Sequence, residues 1–108
     1  MPTLYLSAPR NKDAATALHK NFSTILASGK GPEYAIARRW VTQLKNGMKV
    51  VIFNRADQRQ AEGLLIAVNL TGQKTPQGIL RYDVIIRGLR EAPFSNPPAV
   101  DRFGVAVG

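Results

Sequence analysis

The sequence predicts an α+β domain: a small curved mixed sheet or partly closed β-barrel of about five strands with two N-terminal helices. Three observations lead there. Apolar residues recur at helical spacing through the first forty-odd positions, and after Gly47 the pattern changes to short apolar or alternating runs. Gly, Pro and Asn clusters punctuate both halves. A chain of 108 residues suits one domain with one core, so 1–108 is read as a single globular unit.

The opening strand is Thr3–Ser7, where Leu4 and Leu6 alternate with more polar neighbours until Pro9. Asn11 or Asp13 can cap a helix running to about Ala27, with Ala15, Leu18, Phe22, Ile25 and Leu26 on one face, ended by Gly29 and Gly31. Pro32 suits the first turn of a second helix and Glu33 its positive end. Ile36, Ala37, Trp40, Val41 and Leu44 then form a buried stripe, and Asn46-Gly47 the stop.

Lys49–Phe53 is a strand whose continuous apolar run, Val50 to Phe53, implies burial on both faces. The same reasoning makes Leu64–Val68, within Glu62–Thr71, a second fully buried strand. Gly72–Gly78 is a loop joining antiparallel neighbours. In the next strand Leu80, Tyr82, Val84 and Ile86 face the core, while Arg81, Asp83 and Arg87 face out. Pro93, Pro97 and Pro98 impose an extended return, and Phe103, Val105 and Val107 give a last short strand.

Charge is the strongest functional signal. Fifteen Lys and Arg stand against seven Asp and Glu, a net +8. Residues 1–54 hold eight bases and two acids, hence +6, and residues 55–108 hold seven and five, hence +2. Such a domain attracts polyanions, so RNA or DNA is the expected partner, although distributed charge can also serve solubility alone. The absence of cysteine excludes disulfides and thiolate chemistry, and fits a cytoplasmic setting. No stretch reaches the roughly 18 apolar residues of a membrane span, and no signal-peptide pattern opens the chain, so no membrane partner is expected.

A resemblance joins these readings. Leu44-Lys45-Asn46-Gly47-Met48-Lys49-Val50-Val51-Ile52-Phe53 resembles the helix-to-strand junction of PUA-like domains, including the EVE and ASCH groups. Glu62-Gly63-Leu64-Leu65-Ile66-Ala67-Val68 and Tyr82-Asp83-Val84-Ile85-Ile86 resemble the strands that follow. Met48 stands where those families usually carry Asp. The resemblance implies a pseudobarrel that binds nucleic acid or a modified base between barrel and helices, without catalysis of its own.

Candidate nucleic-acid contacts are Arg38, Arg39, Lys45 and Lys49 for phosphates, and Tyr34 and Tyr5 for base stacking. A solvated helix face explains the same cations as well. Trp40, Phe53 and Phe22 read as core. Arg55 and Arg59 flank Asp57, for which local pairing is the simpler account. His19 is the sole histidine, the carboxylates are scattered, and no nucleophile–base set or metal-ligand spacing occurs. The expectation is a binding module, not an enzyme, with no cofactor and no metal. Two alternatives stay open: a protein–protein or homodimerising module using an edge strand, and a small-ligand cleft between helices and sheet.

Overall fold

The computed structural model describes residues 2–8 and 21–108. Six strands, β1 (Thr3–Ser7), β2 (Lys30–Ala35), β3 (Lys49–Asn54), β4 (Arg59–Lys74), β5 (Leu80–Ala92) and β6 (Val105–Val107), form one mixed sheet. Two short helices accompany them, α1 (Phe22–Ser28) and α2 (Arg38–Val41). The strand order is β2-β5-β4-β3-β1-β6, with β1 parallel to β3 and every other pairing antiparallel. The described residues are therefore mostly β, a half-barrel with two small helices.

Alternation sets the core. Leu4 pairs with Val50 and Leu6 with Ile52, and all four are fully buried. Burial of each contributes roughly 1.5–3 kcal/mol. Val84, Ile86, Leu65 and Ala61 continue this lining across β5 and β4. The first expected helix is present at its end: Phe22 and Ile25 are buried, Asn21 Oδ1 accepts the Thr24 N–H, and Gly29 closes the helix at φ 69°. Its earlier part, with Ala15, Leu18 and His19, lies outside the described residues.

The expected second helix is replaced by β2 and a single turn, α2. Pairing with β5 outweighs the helical pattern. Lys30 pairs with Ile85 and Gly31 with Val84, then a bulge shifts register before Tyr34 meets Tyr82. Glu33 takes φ 54°, a conformation incompatible with a helix. Two β5 side chains hold it there: Asp83 Oδ1 accepts its N–H, and Arg81 donates to its carbonyl.

Tyr34 moves accordingly. It is 2% exposed, and its hydroxyl donates to the Ser7 carbonyl at 2.9 Å. Strands β5, β4 and β3 lie between β2 and β1 in the sheet, so this bond spans the inside of the curl. Burial pushes the Tyr34 pKa above its ordinary 10.0. The folded chain then keeps a proton that the unfolded chain releases, so stability is whole below about pH 10 and falls above it. The expected slope is about 1.4 kcal/mol per pH unit. Denaturant midpoints measured from neutral to alkaline pH should show this loss, and Tyr34→Phe should remove it at a neutral-pH cost of about 1 kcal/mol. Equal alkaline sensitivity in both proteins would contradict the assignment.

Both sheet edges are blunted. Strand β2 carries Pro32 and its bulge. On β6, Asp101 Oδ1 accepts the Val105 N–H at 3.1 Å and the Asp101 N–H donates to the Val105 carbonyl at 3.0 Å. The alternation of the β1–β6 ladder turns the backbone groups of Val105 and Val107 outward, and Asp101 takes up those of Val105. Asp101 Oδ2 also accepts the Trp40 indole N–H, tying α2 to the C-terminal segment. Trp40 is half-buried against the core, as its stripe position indicated.

Candidate nucleic-acid interface

The face of the sheet turned away from the core is organised in rows fixed by strand register. One row runs Tyr5–Val51–Glu62–Arg90 across β1, β3, β4 and β5. Its neighbour runs Thr3–Lys49–Leu64–Arg87. Residues paired across strands project to the same side, so Tyr5, Lys49, Arg87 and Arg90 share one surface. A shallow groove of about 670 Å3 lies there, lined by Lys49, Glu62, Leu64, Arg87, Gly88 and Arg90.

The two arginines share that surface because of an irregularity. Strict alternation would place Arg87 and Leu89 together and Arg90 opposite. Glu62 pairs with Arg90 and Leu64 with Arg87, so two β5 residues, Gly88 and Leu89, face the single Gly63. This bulge resets the parity. Gly88 takes φ 65°, and a Cβ on Gly63 would stand 2.8 Å from the Arg87 carbonyl oxygen and 2.7 Å from Ile86 Cγ2. Glycine is required at both positions, for opposite reasons: one for its backbone conformation, the other for its missing side chain.

The groove is bounded on one side. Gln60, opposite Phe53, is buried on this face, and its Oε1 accepts from the Ser95 N–H and hydroxyl. The proline-rich return thus reaches the outer surface at Gln60, and Val50 to Phe53 are all buried. Arg55 fastens that return by donating to Asn96 Oδ1 and the Pro97 carbonyl. Arg59 forms a two-point bond to Glu91 and lies over the Phe22 ring at 4.5 Å. Both arginines hold distant segments together, and Arg59 also feels the nearby Asp57 charge that the sequence placed beside it. Beyond the return the sheet is open: Leu64 and Ile66 are 39% and 42% exposed, correcting the expectation of a fully buried strand. A register shift between Leu65 and Ala67 adds to that departure.

The electrostatics are mixed. Lys49 Nζ lies 3.1 Å from Glu62 Oε1, both side chains partly exposed. Such a pair is worth at most about 1 kcal/mol and opens readily for a phosphate. With Lys49, Arg87 and Arg90 against Glu62, the groove carries a net +2.

The remaining expected contacts are elsewhere. Tyr34 is in the core and unable to stack on a base. Arg38 is exposed at a cleft on the core side of the sheet. Arg39 lies over Trp40 at 4.7 Å. Lys45 is exposed in the turn before β3, beside Asn46, whose Nδ2 donates to the Ile66 carbonyl. Lys30 pairs with Asp83 at 3.4 Å on the β2 side. The described cations of the first half, Lys30, Arg38, Arg39, Lys45 and Lys49, therefore do not gather on one surface. Arg10, Lys12 and Lys20 lie outside the described residues. Tyr5 and Lys49 are brought together, and they are joined by Arg87 and Arg90 from the second half. Gly88 within an alternating run was the signal for the added pair.

Among the described residues, no three His, Asp or Glu side chains cluster as metal ligands. No described helix is long and apolar enough to cross a membrane. No protein-family model matches the chain, and neither a curated protein nor a solved structure matches it significantly.

Proposed function

We propose that the chain is a non-catalytic nucleic-acid-binding module that holds a single-stranded segment across the outer face of β1, β3, β4 and β5. The observation that carries this reading is the convergence of Lys49, Arg87 and Arg90 on one sheet face with Tyr5, which shares the row of Arg90. The three cations would position phosphates and Tyr5 would offer a ring to a base. From β1 to β5 this face spans about 14 Å, three strand spacings. Among the described residues no helix projects from this sheet surface, which suits a flexible strand better than a duplex groove. The likeness of the β3–β5 segment to PUA-like domains points the same way.

The test is fluorescence anisotropy with a labelled single-stranded oligonucleotide and its duplex across a salt series. Three phosphate contacts give a log–log slope of about −2 for a single strand. Glu62→Gln should tighten binding roughly fivefold by removing a repulsive carboxylate and releasing Lys49. Salt-independent binding, or no gain from Glu62→Gln, would count against the reading. Exposed Leu64 and Ile66 on the same face favour a second reading, a protein contact. Sedimentation showing self-association that oligonucleotide fails to displace would support it.

A further inference from the structure

The core side of the sheet carries a second feature, independent of the outer face. A cleft of about 430 Å3 opens between α2 and the turn joining β4 to β5. Its walls are Ile36, Val41, Ile79, Leu80 and Tyr82, and Arg38 and Thr42 stand among its lining residues. That volume lies within the range of small-molecule sites.

The walls are held by backbone bonds. The Ile36 N–H donates to the Leu80 carbonyl at 3.2 Å, joining the end of β2 to β5. Thr75, itself buried, closes the turn: its N–H donates to the Ile79 carbonyl and its hydroxyl accepts the Ile79 N–H. The Trp40–Asp101 bond fixes α2. A cleft with such walls does not have to be assembled when a ligand arrives.

Its lining is apolar and uncovered. Leu80 is 45% exposed, and Leu70, directly across the ladder from Tyr82, is 63% exposed. Tyr82 shares the core-facing side of β5 with Val84, so Leu70 extends the same wall. Among the described residues Arg38 has no carboxylate partner, whereas Arg81 is bound to the Glu33 carbonyl and Arg39 lies over Trp40. An apolar trough with a guanidinium that has no carboxylate partner among the described residues complements a molecule with one anionic end and an apolar body.

We propose that this cleft binds a medium-chain carboxylic acid, its tail against Val41, Leu80 and Tyr82 and its carboxylate on the Arg38 fork. The site lies opposite the Lys49–Arg87–Arg90 surface, so either proposal can fail without the other.

The experiment is an isotope-edited NMR titration of the full chain with octanoate, repeated with octanol and with Arg38→Gln. Arg38 is exposed, so its replacement leaves the fold intact. The expected result is saturable binding with shifts at Ile36, Val41, Leu80 and Tyr82. Both octanol and Arg38→Gln should weaken it roughly tenfold, as expected for loss of a charge-assisted bond. Leu80→Gln should also weaken it, while oligonucleotide binding by either variant stays unchanged. Absence of saturation, shifts elsewhere, or equal affinity for octanoate and octanol would overturn the proposal.

Discussion

Neutralising Lys49, Arg87 and Arg90 together, as the triple Gln variant, should reduce single-strand affinity on the order of 10²- to 10³-fold at low salt. The magnitude follows from counterion release. Each phosphate contact contributes about 0.7 to the log–log salt slope of a single strand, so removing three should flatten it by about 2. The slope discriminates better than the affinity, since general loss of positive charge weakens binding without removing a defined set of contacts. Arg38→Gln with Arg39→Gln, which removes two charges, is the control for general charge loss, because neither residue belongs to the register rows of the outer face. A triple variant with unchanged slope, or a control with the larger effect, would move the interface elsewhere. Circular dichroism should show the same fold in all of these proteins, since every altered side chain is exposed.

Gly63→Ala is expected to have the largest effect on stability of any single methyl addition in the sheet. The new Cβ would lie 2.7 Å from Ile86 Cγ2, 2.8 Å from the Arg87 carbonyl oxygen and 3.1 Å from Leu89 Cα. Two of these three neighbours are backbone, so side-chain rotation cannot relieve the crowding. Overpacking of this kind costs about 3 kcal/mol, equivalent to a fall of roughly 15 °C in Tm. Gly72→Ala is a useful contrast. Nothing lies within 4 Å of its added Cβ, and only the φ of 86° opposes it. Its cost should be about 1–2 kcal/mol. Thermal melts of the two variants separate crowding from backbone strain. A Gly63→Ala protein as stable as the parent would mean that β4 and β5 do not approach so closely. Because the same bulge brings Arg87 and Arg90 to one face, the variant should also lose affinity beyond its loss of folded protein.

Much of the sheet was legible because period-2 alternation is a local signal. Leu4 and Leu6, Val50 and Ile52, and Val84 and Ile86 were assigned to the core and lie there. Strand β2 was not legible. The stripe of Ile36, Trp40 and Val41 that follows it has helical spacing, and only pairing with β5, about fifty residues later, makes Lys30–Ala35 a strand. Glu33 at positive φ is stabilised by Asp83 and Arg81, partners that no local pattern announces. Placing Tyr34 on a helix surface followed from that error, and the contact with Ser7 across the curl reverses it.

The site was half legible for a related reason. Tyr5 and Lys49 were chosen for their residue types, and parallel pairing of β1 with β3 makes them neighbours. Arg90 was missed because counting by twos from Arg87 places it on the wrong side. One glycine-containing bulge changes the count, and its position depends on Gly63 in the partner strand.

The most direct measurement is an amide chemical-shift titration of the isotope-labelled chain with a short single-stranded oligonucleotide. Shifts are expected along the rows Tyr5–Val51–Glu62–Arg90 and Thr3–Lys49–Leu64–Arg87, fading as salt is raised. Shifts confined to α1, β2 or the Arg38 cleft, or none at all at low salt, would contradict a binding face on the outside of the sheet.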